Sequence, residues 1–495
     1  MSLGISRLSS ILLLVACAAA YTWPDPQRDE LESLLYDQHG FNERGILAGA
    51  LSPCNAFGFE HREPLERRGL DPDVADFIAL GAKTAVEQCG GPHLPFRGGR
   101  VDATEAGVPG VPQPQESLDS HTASFARQGF NQTEMITLIA CGHSFGGVQN
   151  SPFPQIVPLP DGVSDVSQTF DSTPFNFDNN IATEYIHGTT NNPLVVGHND
   201  TTNSDKRIFG SDGNTTMSGF AADPASFRSA CQSLLPRMLD TVPKTVQLTE
   251  VIEPLSVKPQ DIAFTYMDNG TFHLTGQVRF WNTVYSASRS IKLLWADRDG
   301  KTDPAYSSVL GTDEQMAATA LYDGTFGAQW YSIGPLSDNF TVVDAATGIS
   351  KFWFEVDEGN GSAGTTEDQG GLGFAVQDVV MVANSSCIVE STGTARIQIA
   401  VRADKTPSRV YVEYDLFAGA AGSGATWITV NTTDAQPAAT QKRAGEAYAF
   451  WTADLPSSAL AHSINQKVNV AADIDGAKLS TSSFAPFDTR LWPSC

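Results

Sequence analysis

The chain has 495 residues, enough for two to three ordinary domains. Its 31 Lys and Arg stand against 56 Asp and Glu, and the resulting formal charge of −25 argues against nucleic-acid or anionic-membrane partners, both of which select for basic patches. Hydrophobic residues at 41% and charged residues at 18% belong to a globular chain, and 43 Gly with 28 Pro are too few for a low-complexity one.

At the N-terminus, Arg7 precedes a short apolar run, Leu8 to Val15, and Ala18, Ala19 and Ala20 form an A-x-A-like cleavage site. This pattern predicts a secretory signal over residues 1–20, removed before folding. No later apolar run reaches the length of a membrane-spanning helix. The expectation is a secreted, extracellular protein, most simply a monomer. Cys17 leaves with the signal; Cys54, Cys89, Cys141, Cys231, Cys387 and Cys495 remain. An even number in an oxidising compartment predicts disulfides, and the isolation of Cys387 and Cys495 from the rest pairs those two. Sequons at Asn131, Asn199, Asn214, Asn269, Asn339, Asn360, Asn384 and Asn431 predict a glycoprotein.

Residues 21–245 read as helices with long loops. Helices are expected over Pro26 to Tyr36, Asp73 to Gln88, Thr133 to Val148 and Ala225 to Leu239. The second stops at Cys89-Gly90-Gly91-Pro92. Long loops cover 108–117 and 150–180. From residue 246 to 495 the period changes. Phe272 to Phe280, Ala395 to Val401 and Arg409 to Tyr414 have half-buried strand character, with Gly, Asn, Asp and Ser between the strands. An all-β region is expected there, one sandwich or two small units, without a catalytic motif.

The chemistry concentrates after residue 133. His143 follows the apolar run Met135 to Ala140 and falls on the same helical face as Ile136 and Ile139. A hydrogen-bonded core histidine is the commoner origin of that pattern; a metal or haem ligand is the functional one. Downstream, Asp171, Thr173 and Asp178 offer hard oxygen ligands on one loop, and Ser144 adds a hydroxyl and a carbonyl, a set suited to Ca²⁺. Singly, each Asp reads as an Asx turn. Asp212, after Ile208 and Phe209, is a candidate carboxylate for the other nitrogen of the imidazole.

These segments together resemble the secreted fungal haem peroxidases of the plant-type superfamily. ADFIALGAKTAVEQCGGP, followed by Gly99-Arg100-Val101-Asp102, is similar to the helix before that family's G-R-x-D turn. MITLIACGHS resembles its proximal-histidine helix, FDSTPFNFDN its proximal calcium loop and IFGSDGNTTM its proximal-aspartate segment. The resemblance covers residues 25–245. It implies a mainly α haem-peroxidase-like domain followed by the all-β region, an α + β multidomain chain. It implies haem b with His143 as axial iron ligand and Asp212 bonded to its ring. It also implies Ca²⁺ held by Ser144, Asp171, Thr173, Asp178 and the Asn176 carbonyl. The activity implied is reduction of H₂O₂ with oxidation of an organic donor.

Such an enzyme needs a distal His to move a proton and a distal Arg to stabilise developing negative charge. The family carries them as R-x-x-x-H on one helix. Between Cys54 and Asp76 no R-x-x-x-H occurs, and Pro64 and Pro72 limit helix on both sides. His61 and Arg62 are adjacent, about 100° apart on any helix. Solvated charge is the plainer account of both, and His61 is the weak candidate for the distal role. The distal part is thus truncated between residues 54 and 76. The rival expectation is a catalytically impaired, peroxidase-derived glycoprotein with a scaffold or wall- and carbohydrate-binding role.

Overall fold

The structure, a computed structural model, describes residues 22–25, 28, 29, 31, 32, 35, 74–102, 110–159, 165–281, 283, 286–312, 328–334, 340–419, 426–438, 447–456, 467–481, 485–486 and 493–495. The signal segment, Cys54, His61 and Asn339 lie outside the described residues.

Seven α-helices are described. α1 (Val74–Gln88) begins where the Asp102 carboxylate accepts the Ala75 N–H at 2.9 Å. α2 (Leu118–Arg127) is capped by Ser117, and α3 (Gln132–Gly142) by a reciprocal Asn131–Glu134 capping box. α4 (Asn180–His187) is closed by Gly188 in the left-handed conformation. α5 (Ser204–Phe209) and α6 (Thr215–Ala222) are short. α7 (Pro224–Leu239) opens with proline at its first position and Asp223 as cap. Met135, Ile136, Leu138 and Ala140 of α3 pack with Phe177, Phe209, Phe227 and Leu235 into one core. A disulfide between Cys141 and Cys231 ties α3 to α7.

The helix expected over Thr133 to Val148 ends at Gly142. Residues Gly147–Gln149 pair antiparallel with Ser167–Thr169 instead. Gly147 is required there, since a Cβ would stand 2.4 Å from the Gln168 carbonyl. Helices α2, α4, α5 and α6 fall outside the four expected ones. They span six to ten residues, too few turns for a periodic signature.

The β region forms two sandwiches that share one sheet. The shared ten-stranded sheet runs, in spatial order, Gln436–Pro437, Tyr448–Leu455, Thr394–Arg402, Val380–Ala383, Val257–Tyr266, Thr271–Trp281, Ala328–Ile333 and Gly311–Thr312, with Cys387–Val389 and Thr341–Asp344 pairing at the side. All its pairings are antiparallel except Val380–Ala383 with Val257–Tyr266. One half faces a sheet built on Ser290–Ala296 and Lys351–Asp357 across a core of Phe272, Leu293, Phe352, Phe354 and Val278. The other half faces the sheet of Arg409–Gly419 and Lys467–Ile474 across Ile397, Ile399, Val412 and Val470. The expected strands all lie within these elements. Cys387 and Cys495 form the second disulfide, the pairing expected from their isolation.

The N-terminal segment, assigned by sequence to the helical part, departs from that assignment. Trp23 packs on Phe352 and Phe374 in the first β core, and its backbone N–H donates to the Gln369 side-chain oxygen at 2.8 Å. Glu32 is fully buried between Lys258 and Arg279 of the shared sheet and accepts the Leu255 N–H at 3.1 Å. Leu31 and Leu35 complete a small core with Leu80, Phe96 and Ile252. Residues 249–252 also run along 96–98, where Thr249 and Ile252 donate to the Gly98 and Phe96 carbonyls at 2.9 Å each. Among the described residues no helix is long and apolar enough to cross a membrane.

Candidate functional site

His143 stands at the carboxyl end of α3, as the residue just past its last turn. Its backbone N–H still bonds the Ile139 carbonyl at 2.9 Å. It is therefore not inside a buried helical face, as its spacing suggested, but at the exit from one. The ring lies flat on Phe170, with centroids 4.1 Å apart and an interplanar angle of 11°. Phe170 is placed by the short strand pair, which ends at Thr169. Nδ1 of His143 lies 2.7 Å from Oδ2 of Asp205. The Asp205 side chain is 1% exposed, that of His143 24%. Among the described residues none hydrogen-bonds Nε2. One nitrogen is thus committed to a buried carboxylate and the other remains available, the arrangement that fixes a tautomer and raises the basicity of a ligand.

The carboxylate on this ring is Asp205, not Asp212. Asp212 accepts the Thr215 N–H at 3.0 Å and the Thr216 N–H and hydroxyl at 2.9 and 2.6 Å, so it serves the first turn of α6. A carboxylate engaged with three donors at a helix start is held away from His143. Asp205 escaped the sequence reading because Lys206 and Arg207 follow it, which looks like solvated charge. The signal was its place three and four residues before Ile208 and Phe209, which puts it on the buried side of α5.

Asp171, Thr173, Asn176 and Asp178, expected to hold calcium, lie on the loop that leads into α4, and Ser144 lies just past the end of α3. The Asp171 side chain is buried; its Oδ1 accepts the Thr173 N–H at 2.9 Å, while its Oδ2 has no hydrogen-bond partner among the described residues. Burial first, then the nearby Asp178 and Glu184 carboxylates, push the Asp171 pKa up to about 6. Asp178 accepts the Asn180 N–H at 2.8 Å. The Thr173 hydroxyl accepts from the Asn180 side chain at 3.0 Å. Ser144 is fully buried, and its hydroxyl donates to the Cys141 carbonyl at 3.0 Å. Asn176 is exposed, with its N–H on the Thr173 carbonyl. Among the described residues no group of three or more His, Cys, Asp or Glu is gathered in a metal-binding cluster. This set would rely on two carboxylates with hydroxyl and carbonyl oxygens, donors that suit a hard cation. Among the described residues Asp171 Oδ2 is buried without a hydrogen-bond partner, and oxygen donors of this kind are those that a hard cation takes.

The Gly99-Arg100-Val101-Asp102 turn proves to be a clamp. Arg100 is buried and bonds Asp76 at 2.8 Å and the Leu239 carbonyl at 2.6 and 3.0 Å, joining the start of α1 to the end of α7. Six of the described sequon asparagines are exposed: Asn131, Asn199, Asn214, Asn269, Asn360 and Asn384. Asn431 is half-buried on its strand.

Residues 73–223 match the sequence model of the family described as Peroxidase. A WSC domain-containing protein of Arthroderma benhamiae is 32% identical over 387 residues, which cover 66% of this chain and 52% of that protein. That share exceeds the 256 residues preceding the first long strand, so the likeness runs into the β region. The mitochondrial cytochrome c peroxidase of Yarrowia lipolytica is 40% identical over 85 residues, 16% of this chain and 25% of that protein. Manganese peroxidase 2 of Phlebia radiata is 32% identical over 116 residues, 23% of this chain and 27% of that one. The chain thus spans about half the length of the first of these relatives and about a quarter of the other two. His143 and its buried carboxylate Asp205 both lie inside residues 73–223, the stretch that is similar to the family described as Peroxidase.

Proposed function

We propose that this chain is a secreted haem peroxidase that uses H₂O₂ to oxidise an organic donor. The observation that carries the reading is the His143 ring, tied through Nδ1 to buried Asp205 at 2.7 Å with Nε2 left for a ligand. His143 would hold the iron of haem b, and Phe170 would keep its ring from rotating. Haem, when bound, would supply the two-electron reduction of peroxide to water, balanced by two successive one-electron oxidations of the donor. The role of this chain's residues is to fix the imidazole and enrich it with electron density. Ca²⁺ on Ser144, Asp171, Thr173, Asp178 and the Asn176 carbonyl would brace the loop that carries Phe170, which supports the same reading. The signal-like start and the exposed sequon asparagines support secretion and glycosylation.

Haem reconstitution tests the reading. His143→Ala is expected to abolish the Soret band of the reconstituted protein, because the iron loses its strong protein ligand. An unchanged spectrum would rule out His143 as the ligand. Chelation of calcium is expected to lower the melting temperature, and Asp178→Ala to blunt that response. Rapid reaction of the haem-loaded chain with peroxide separates an enzyme from an impaired scaffold.

A second reading, carbohydrate binding by the β region, has one observation in its favour. The outer face of the first sandwich holds a groove of about 490 Å³ lined by Ser290, Lys292, Glu355, Asp357, Thr365 and Thr366 among others. Lys292 and Glu355 oppose each other in register, and among the described residues no ion pair joins them, so both can offer polar groups to hydroxyls. Trp353, half-buried, shares that face two residues along. Sedimentation with an insoluble glucan, compared with Trp353→Ala, tests it. Equal recovery of the two proteins in the supernatant refutes it.

A further inference from the structure

The oxygen of Asp205 that meets His143 has a second partner. Asn192 Nδ2 donates to the same Oδ2 at 2.9 Å. Asn192 is fully buried, and it is itself held at two other points. Its Oδ1 accepts the Leu194 N–H at 2.8 Å, and its own N–H donates to the Thr190 hydroxyl at 3.1 Å. The amide therefore cannot turn away from the carboxylate without breaking the turn that carries it. Among the described residues the other carboxylate oxygen has only a 3.5 Å contact with the Ser204 hydroxyl. The charge of Asp205 is thus shared, on one oxygen and away from water, between an imidazole and a neutral amide.

We propose that Asn192 is a positioning residue which sets how strongly Asp205 draws the Nδ1 proton of His143, and through it how much electron density reaches the iron. The inference rests on the axial-ligand reading of His143. A donor on a carboxylate oxygen disperses its charge and makes it a weaker acceptor for the next donor. With the Asn192 amide in place, the His143–Asp205 bond is weaker than a lone buried carboxylate would give. Removing that amide increases the imidazolate character of the ligand, which stabilises ferric over ferrous iron. Removing the carboxylate charge does the opposite.

The test compares Asn192→Leu, Asn192→Ser and Asp205→Asn in the full chain. In the haem-loaded protein the reduction potential is expected to fall in both Asn192 variants and to rise in Asp205→Asn, with a change of about threefold or more in the ferric–ferrous equilibrium for each, a fraction of one charged hydrogen bond. In the haem-free protein, the ring N–H proton line of His143, identified by its loss in His143→Ala, is expected to move downfield in the Asn192 variants. Serine keeps a polar group in the turn should leucine prevent folding. An unmoved line together with an unmoved potential overturns the role of Asn192. If the parent chain takes up no haem, it is the axial-ligand reading that fails, and the N–H line alone decides whether Asn192 weakens the bond.

Discussion

The helical and β regions bury charge for different purposes, and the contrast shows where each is vulnerable. Around His143, buried polar groups sit on loops and helix ends: Asn192, Asp205, Ser144 and Asp171 are all placed by turns rather than by mid-helix packing. In the β region the two sandwich interiors are apolar, and buried charge collects at the joints. Asp378, between the sandwiches, bonds Arg298 at 2.7 Å and Arg402 at 2.9 Å. Glu32, with Lys258 and Arg279, seals the seam to the N-terminal segment. Around His143 polar burial aims side chains, whereas at the seam, between the sandwiches and in the Arg100–Asp76 clamp it fastens parts. Breaking the fastenings should cost stability, and breaking the aim should cost chemistry.

The largest effect is expected at the seam. Glu32→Ala leaves Lys258 and Arg279 buried without their shared carboxylate, a change that costs about 3–5 kcal/mol. Because Glu32 joins the N-terminal segment to the shared sheet, urea unfolding of the variant should separate into two transitions, one for each region. A single transition at the parental midpoint would mean that the regions are coupled elsewhere.

Replacing Cys141 and Cys231 together by Ala comes next. The bridge spans a sequence separation of 90, and loss of such a disulfide costs about 2–4 kcal/mol. The loss should fall on the helical transition alone, read by far-UV circular dichroism at helical wavelengths. Cys141 is two residues from His143, so haem uptake should weaken with it while the β transition stays where it was.

A smaller, pH-dependent effect is expected at the end of α1. Glu87 is buried and takes hydrogen bonds from His93 and the Leu94 N–H at 2.9 Å each, besides its ion pair with Lys83. Burial works to raise its pKa; the His93 hydrogen bond, the Lys83 charge and the Leu94 N–H outweigh burial and hold it below its ordinary 4.5. A carboxylate with a depressed folded-state pKa contributes stability that is present above the unfolded value and lost as pH falls through the folded one. Glu87→Gln should therefore cost about 1–3 kcal/mol at pH 7. It should also flatten the acid limb, so that parent and variant converge below pH 4.5. A constant difference from pH 7 to pH 3 would assign the effect to packing rather than to charge.

What was legible in the sequence follows the same division. Alternation in Ala395 to Val401 and Arg409 to Tyr414 exposes strands because each side chain reports directly on one face of a sheet. The shared sheet was not legible, since the parallel pairing of Val382 with Thr265 joins residues more than a hundred positions apart. In the helical region the order of motifs located His143 and the Asp171 loop, whose residues are close in sequence. The partner of His143 was misplaced by seven residues. Asp205 and Asp212 both stand near Ile208 and Phe209, and only the path of the chain decides which carboxylate turns inward. Trp23 was read with the helices because nothing in a short aromatic segment names the core it will enter.

That seven-residue difference supports the finest prediction. Asp212 holds two backbone N–H groups and one hydroxyl at the start of α6, a capping role worth about 1 kcal/mol. Asp212→Ala should lower stability by that amount. Asp212→Asn, which keeps one acceptor oxygen, should lower it by less. Neither should move the haem reduction potential, because neither touches the ring of His143. Asp205→Asn should move the potential upward while leaving the α6 cap intact. The two aspartates thus exchange signatures: one is read in a melting curve and silent in redox titration, the other the reverse. A potential that responds to Asp212→Asn as strongly as to Asp205→Asn would mean that the proximal carboxylate is reached through α6, and that the 2.7 Å contact at His143 is not the one that governs the iron.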